Sequence, residues 1–186
     1  MTSNSFELPP KGPFATLVLG GARSGKSRYG EGLVRQASGR AVYIATAEAR
    51  DGEMATRISH HQAQRGEDWF LIEEPTALAT KLRENLLPDD VVLVDCLTLW
   101  LGNLMEKDIS IEAAVDDLMD ALKTCPARVV LISNEIGWGI VPDNAMARAF
   151  RDEAGRLHQR LSAEIDAVIA VIAGLPLTLK APSPKR

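Results

Sequence analysis

"ATLVLGGARSGKS", residues 15–27, sets a short apolar run against a glycine-rich turn that ends in Gly-Lys-Ser. Residues 20–27 fit G-x-x-x-x-G-K-[ST], and they sit where that pattern has a mechanism, between a buried strand and a helix. Gly20, Gly21 and Gly25 let backbone N–H groups approach phosphate oxygens, with Ala22, Arg23 and Ser24 completing the loop. The helix N-terminus that follows favours negative charge. Lys26 is placed to reach β and γ phosphates, and Ser27 to ligate Mg²⁺. The loop therefore points to a nucleoside triphosphate. "SRYGEGLVRQA", 27–37, reads as the helix, although Gly30 and Gly32 weaken its propensity.

Working outward, the strand-then-helix pattern repeats. "AVYIA" (41–45) precedes a polar helical stretch, "VVLVD" (91–95) precedes "CLTLWLGNLM", and "RVVLIS" (128–133) precedes a loop and a long helix. Continuous apolar strands flanked by helices predict an α/β fold with a mostly parallel sheet covered on both faces. "WFLIE" (69–73) is a shorter candidate strand, and the Gly-Leu-Pro break in "AVIAVIAGLPLTL" predicts an antiparallel hairpin at one sheet edge. The Pro/Ser-bearing ends, residues 1–13 and 181–186, read as flexible tails around a single domain, 14–180.

Composition narrows the partners. The chain has 186 residues, 46% of them hydrophobic and 25% charged, with a net charge of −4. That is enough chain for one ordinary core, and it offers no broad basic field for nucleic acid or anionic membrane. No apolar run reaches the roughly 20 residues of a membrane span, and the N-terminus lacks the basic and apolar regions of a signal peptide. A cytoplasmic protein acting on phosphorylated small molecules is expected. Cys96 and Cys125 make neither a disulfide framework nor a metal motif and read as reduced thiols.

Carboxylates and histidines supply the remaining candidates. Asp95 closes an apolar strand and occupies the place of a metal-side carboxylate; the competing reading is a helix N-cap. Glu135, in "ISNEIGWGIVP", follows a strand at the edge where ligands gather in open α/β sheets, and its loop is either a shaped active-site segment or a connector. "ISHHQAQRGEDW" (58–69) holds two of the three histidines. On a helix, neighbours diverge by about 100°, so His60 and His61 do not form the i,i+4 pair that binds one metal. Met54, Ile58 and His61 share one face, with Thr56, His60 and Gln64 on another. His61 then suits packing, and His60 is either an unremarkable surface residue or a nucleophile, because a neutral imidazole can attack a nucleotide's α-phosphorus. His158, beside the Leu157/Leu161 stripe, reads as a surface or interface residue.

Five blocks together, "LVLGGARSGKSRYGE", "YIATAEARDGEMATRISHHQAQRGEDW", "LVDCLTLWLGNLM", "ISNEIGWGIVP" and "ARAFRDEAGRLHQRLS", resemble the bifunctional adenosylcobinamide kinase/adenosylcobinamide-phosphate guanylyltransferase family of cobalamin biosynthesis. The resemblance runs from about Thr16 to Gly174. It implies a RecA-like P-loop fold, a homotrimer, and two reactions: ATP or GTP phosphorylates the aminopropanol hydroxyl of adenosylcobinamide, and GTP then guanylylates a histidine that passes GMP to the new phosphate. The guanylylated position falls on His60. Nucleotide contacts map onto residues 20–27, onto Ala45, Thr46 and Ala47, onto His61, Gln62, Ala63 and Gln64, and onto Glu73 and Asp95, with Mg²⁺ beside Ser27 and Asp95. Lys26 and Glu135 join His60 as catalytic candidates. Ala47 and Trp138 depart from the residues usual in the family. A plain P-loop small-molecule kinase and a P-loop regulatory module are the rival readings, and the absence of an N-K-x-D motif after residue 90 counts against the second.

Overall fold

Val91–Asp95 and Arg128–Asn134 each carry a run of four consecutive apolar residues, 91–94 and 129–132, and both strands are buried along almost their whole length. Strands of that kind need cover on both faces, which a central place in a parallel sheet provides. A computed structural model of the chain, describing residues 6–48, 68–84 and 86–182, puts them there. The strands are β1 (Phe14–Gly20), β2 (Ala41–Ala45), β3 (Phe70–Glu73), β4 (Val91–Asp95), β5 (Arg128–Asn134), β6 (Ala167–Ile172) and β7 (Leu175–Lys180). They form one sheet in the order β3-β2-β4-β5-β1-β6-β7. All neighbours pair in parallel except β6 and β7, so the expected mostly parallel sheet with an antiparallel C-terminal hairpin holds. β5 lies between the strand that feeds the glycine-rich loop and the strand that ends in Asp95, as the RecA-like arrangement requires.

The described helices are α1 (Lys26–Gln36), α2 (Leu78–Glu84), α3 (Leu97–Glu106), α4 (Ile111–Thr124) and α5 (Ala145–Glu164). Leu33 and Val34 of α1 pack with Val18, Tyr43, Leu93 and Ile132 on one face of the sheet. Leu78, Leu82, Leu97, Trp100, Leu118, Leu157 and Leu161 build the larger core on the other. Gly30 costs α1 helix propensity, but a Cβ there would stand 2.5 Å from Ile132 Cδ1 and 3.1 Å from Leu93 Cδ1. The glycine lets the helix that follows the loop lie directly on the sheet.

Two local details differ from expectation. The hairpin turns at Ala173 and Gly174, both at positive φ (51° and 80°), the pattern of a two-residue type I′ turn. Pro176, expected to mark the break, instead lies within the edge strand β7, where a missing N–H is tolerated. Sequence reading also passed over α4. Its signals are plain in retrospect: Ser110 caps the first turn by accepting from Ala113 N–H at 3.3 Å, and Val115, Leu118 and Met119 bury one face.

At the opposite end of the sheet from the glycine-rich loop, Arg128 is 1% exposed. Its Nη1 donates to Pro9 O (3.2 Å) and Pro10 O (3.0 Å), and its Nη2 to Ser38 O (2.5 Å) and Asp89 O (3.2 Å). One guanidinium thus ties four backbone carbonyls from three segments to β5, while Phe6 and Leu8 pack against the nearby core. Replacing it orphans those carbonyls. Arg128→Met is expected to lower unfolding free energy by about 3 kcal/mol, read as a lower urea midpoint; an unchanged midpoint would show that the carbonyls are satisfied without it.

Candidate active site

Parallel strands deliver their carboxyl ends to one edge, and ligands of open α/β sheets gather there. The edge here carries Gly20 (β1), Ala45 (β2), Glu73 (β3), Asp95 (β4) and Asn134 (β5), in the pairings Gly20–Asn134, Ala45–Asp95 and Ala45–Glu73. The sequence candidates from four distant stretches therefore share one rim. They are not all within reach of each other: four strand spacings of about 4.8 Å put Glu73 roughly 19 Å along the sheet from the glycine-rich loop.

The loop is curled by two left-handed residues, Arg23 (φ 58°) and Gly25 (φ 96°), the second acting as N-cap of α1. Successive turns of opposite hand point backbone N–H groups into one concavity, which suits an anion at a helix N-terminus. Both flanks are tied down. Glu135 N–H donates to Gly20 O at 3.0 Å, and Gly174 N–H donates to Ser24 O at 2.8 Å. A side chain at Gly20 would meet Val171 O at 2.6 Å and collide with Ser24, and one at Gly25 would lie 3.3 Å from Gly174 Cα, so close backbone approach explains both glycines. Ser24 Oγ is buried with no hydrogen-bond partner among the described residues. An orphaned hydroxyl in a phosphate-shaped loop fits a ligand oxygen.

Lys26, the first residue of α1, is 8% exposed, and its Nζ donates to Gly21 O at 3.2 Å. Burial pushes its ammonium below the ordinary lysine range, offset by the nearby Cys96 and Asp95. A partly desolvated ammonium that donates to one backbone carbonyl is prepared for anionic oxygens. Ser27 follows on the same first turn.

Asp95 is not the N-cap of α3; Cys96 holds that position. The Asp95 carboxylate instead accepts from Tyr43 Oη at 2.8 Å through Oδ2, which fixes it at the rim beside Lys26. The peptide between Asp95 and Cys96 is cis. Thr46, expected among the nucleotide contacts, is fully buried and has its polar atoms engaged within the protein. Its Oγ1 donates to Cys96 O and accepts from Cys96 N–H, both at 2.8 Å, while its carbonyl accepts from Asn103 Nδ2 at 2.7 Å. Thr46 holds the ends of β2 and β4 together. Tyr43 and Asn103, which position these groups, were missed from sequence because their partners are distant in the chain.

Glu135 lies one residue beyond β5. Its Oε1 accepts from Gly137 N–H at 2.6 Å, and its Oε2 stands 3.9 Å from His158 Nδ1. The surface reading of His158 is wrong: it is 7% exposed and its Nε2 pairs with the buried Ser133 Oγ at 2.7 Å. The buried residues of α5 are Ala154, Leu157, His158 and Leu161, one face at i, i+3, i+4, i+7 spacing, so His158 lies within the leucine stripe. Beyond Glu135 the loop is outward, with Trp138 81% and Ile140 97% exposed. Ala47 is half-buried. His60, His61, Gln62, Ala63 and Gln64, with the helical faces read for 51–64, lie outside the described residues.

Among the described residues no three His, Cys, Asp or Glu side chains cluster as a metal cage. Mg²⁺ needs none when it arrives on a nucleotide, since it keeps waters and takes phosphate oxygens with one or two protein oxygens; a hydroxyl and a carboxylate, Ser27 and Asp95, are donors of the right hardness. Cys96 and Cys125 are buried free thiols, and no described helix is long and apolar enough to cross a membrane.

Lys26→Met keeps the stem and removes the ammonium. It is expected to weaken nucleotide binding about 10- to 100-fold, the worth of one or two charge-assisted hydrogen bonds. Because folding depresses this lysine's proton affinity, the buried charge costs stability below its folded pKa, so at neutral pH the nucleotide-free variant should melt no lower than wild type. Undiminished binding in a nucleotide titration, or a collapsed melting temperature, would contradict this placement.

Comparison with known proteins shows the family. The profile of a family described as cobinamide kinase / cobinamide phosphate guanyltransferase matches residues 16–179. The bifunctional adenosylcobalamin biosynthesis protein CobP of Pseudomonas aeruginosa is 46% identical over 166 residues, covering 88% of this chain and 96% of that protein. CobU of Salmonella typhimurium, a protein of the same description, is 44% identical over 179 residues, covering 88% and 98%. Among solved structures, a protein of Pyrococcus horikoshii superposes with a TM-score of 0.55 at 10% identity over 92% of this chain and 88% of its own, a likeness of fold alone. With its sequence matched almost from end to end, and the phosphate loop within the matched region, the chain belongs to the cobinamide kinase / cobinamide phosphate guanyltransferase family.

Proposed function

We propose that this chain phosphorylates adenosylcobinamide with ATP or GTP and then transfers GMP from GTP to the product, giving adenosylcobinamide-GDP. The observation that carries the reading is the rim of the sheet: a curled phosphate loop, a buried lysine, Asp95 and Glu135 are gathered at one edge in a chain of this family. The active unit is the domain 14–180, working in the cytoplasm as a homotrimer.

In the kinase step the loop amides and Lys26 hold the β and γ phosphates, with the γ-phosphorus in line with the acceptor hydroxyl. Glu135, whose backbone is bonded to the start of the loop, orients that hydroxyl and takes its proton. The new O–P bond forms as the bond from γ-phosphorus to the β-bridging oxygen breaks. Ser27 and Asp95 would hold Mg²⁺, which supplies charge compensation on the phosphate oxygens.

In the second reaction an imidazole nitrogen of His60 attacks the α-phosphorus and pyrophosphate departs. The corrinoid phosphate then attacks the same phosphorus, the P–N bond breaks and the histidine is restored. Physical chemistry favours this detour. Direct attack of a phosphate monoester on GTP brings two anions together, whereas a neutral imidazole meets the triphosphate without that repulsion. Ala45, Ala47, His61, Gln62, Ala63, Gln64 and Glu73 are assigned to the remaining nucleotide contacts.

The test is incubation with α-³²P-GTP or γ-³²P-GTP and Mg²⁺, followed by denaturing electrophoresis. Wild type should retain acid-labile, base-stable label from the α position alone, and His60→Ala should retain none while keeping its kinase activity. Absence of label in folded wild type leaves a small-molecule kinase; full labelling of His60→Ala removes that residue from the transfer. Glu135→Gln should lower kinase kcat by about 10²-fold or more without changing nucleotide KM, as loss of a general base does.

A further inference from the structure

His158 belongs to none of the roles given above, yet it is buried against the residue that the kinase step uses. Its two ring nitrogens face different partners: Nε2 meets Ser133 Oγ at 2.7 Å, and Nδ1 faces Glu135 Oε2 at 3.9 Å. The carboxylate can only accept, so the tautomer that satisfies both contacts carries its proton on Nδ1, with the Ser133 hydroxyl donating to Nε2. Burial lowers the proton affinity of the ring and so favours a neutral imidazole, an effect that the Glu135 carboxylate opposes. The other carboxylate oxygen is already held by Gly137 N–H, and the Glu135 backbone is bonded to Gly20 O.

We propose that His158 is a positioning residue for phosphoryl transfer: its Nδ1–H, oriented by Ser133, steers the Glu135 carboxylate toward the acceptor hydroxyl. The separation of 3.9 Å is longer than a hydrogen bond, and catalytic contacts of this kind tighten when substrate binds. Ser133 lies on β5 opposite Leu19 of β1, and His158 lies mid-way along α5. The relay therefore couples the helix that covers the sheet to the carboxylate next to the phosphate loop. The proposal rests on the reading of Glu135 as the group that receives the hydroxyl proton.

Two amide substitutions separate positioning from packing. His158→Asn places its amide where Nδ1 stood and keeps a donor toward Glu135. His158→Gln reaches the place of Nε2 and keeps the bond to Ser133 while losing the donor toward Glu135. The proposal expects His158→Gln to lose about tenfold in kinase kcat with nucleotide KM and α-³²P-GTP labelling unchanged, and His158→Asn to stay within about threefold of wild type even where its melting temperature falls more. Equal kcat in His158→Gln and wild type, or losses in both variants that follow their melting temperatures, would overturn it. Glu135→Gln run in parallel distinguishes the failures. If Glu135→Gln retains full kcat, the role of Glu135 and this proposal fall together; if only His158→Gln is silent, the proposal falls alone.

Discussion

Two backbone hydrogen bonds hold the phosphate loop in place, and the rest of the site depends on them. Glu135 N–H to Gly20 O fastens the start of the loop to the end of β5, and Gly174 N–H to Ser24 O fastens its crest to the β6–β7 turn. A glycine-rich loop has much conformational entropy to lose, and an unbraced one loses it when the nucleotide binds. Here the sheet has already borne that cost. The C-terminal hairpin thus does more than finish the sheet: its type I′ turn presents the amide that braces the loop, at a position where Gly174 can approach Gly25 closely.

The same braces place chemistry. Bonding the Glu135 backbone to Gly20 O sets that residue beside the start of the loop, with its carboxylate accepting from Gly137 N–H and facing His158 Nδ1. Asp95, on β4 and so two strands from β1, is held by Tyr43, and its charge acts on Lys26. Thr46 and Asn103 close the gap between β2 and β4 with buried hydrogen bonds, so the rim is rigid where the chain must leave the sheet toward His60. Rigid strand ends with reactive groups on the following loops are the common division of labour in α/β enzymes.

Much of this was legible beforehand because it is local. The loop pattern, the continuous apolar strands and the terminal hairpin are each written within a few residues. Asp95 and Glu135 were legible as positions, at the ends of strands, though not in their partners. What escaped was long-range or geometric. His158 shares the buried face of α5 with Ala154, Leu157 and Leu161, yet an imidazole there reads as a surface or interface residue until its partner, Ser133, 25 residues away in the chain, is seen. Tyr43 reads as a core aromatic until Asp95 is seen 2.8 Å from its hydroxyl. Helix α4 carries local signals of its own, but it follows another helix directly and so falls outside the strand-helix alternation that makes the rest of the fold legible.

Whether one phosphate loop serves both transfers is read out by equilibrium titration with α,β-methylene-GTP. This analogue cannot guanylylate a histidine, and without corrinoid it has no acceptor for its γ-phosphoryl group. One site per chain is expected, displaced by GTP and by ATP, whose filling suppresses histidine labelling with an inhibition constant equal to the dissociation constant. A second independent site per chain, or labelling that proceeds undiminished with the loop occupied, would contradict it.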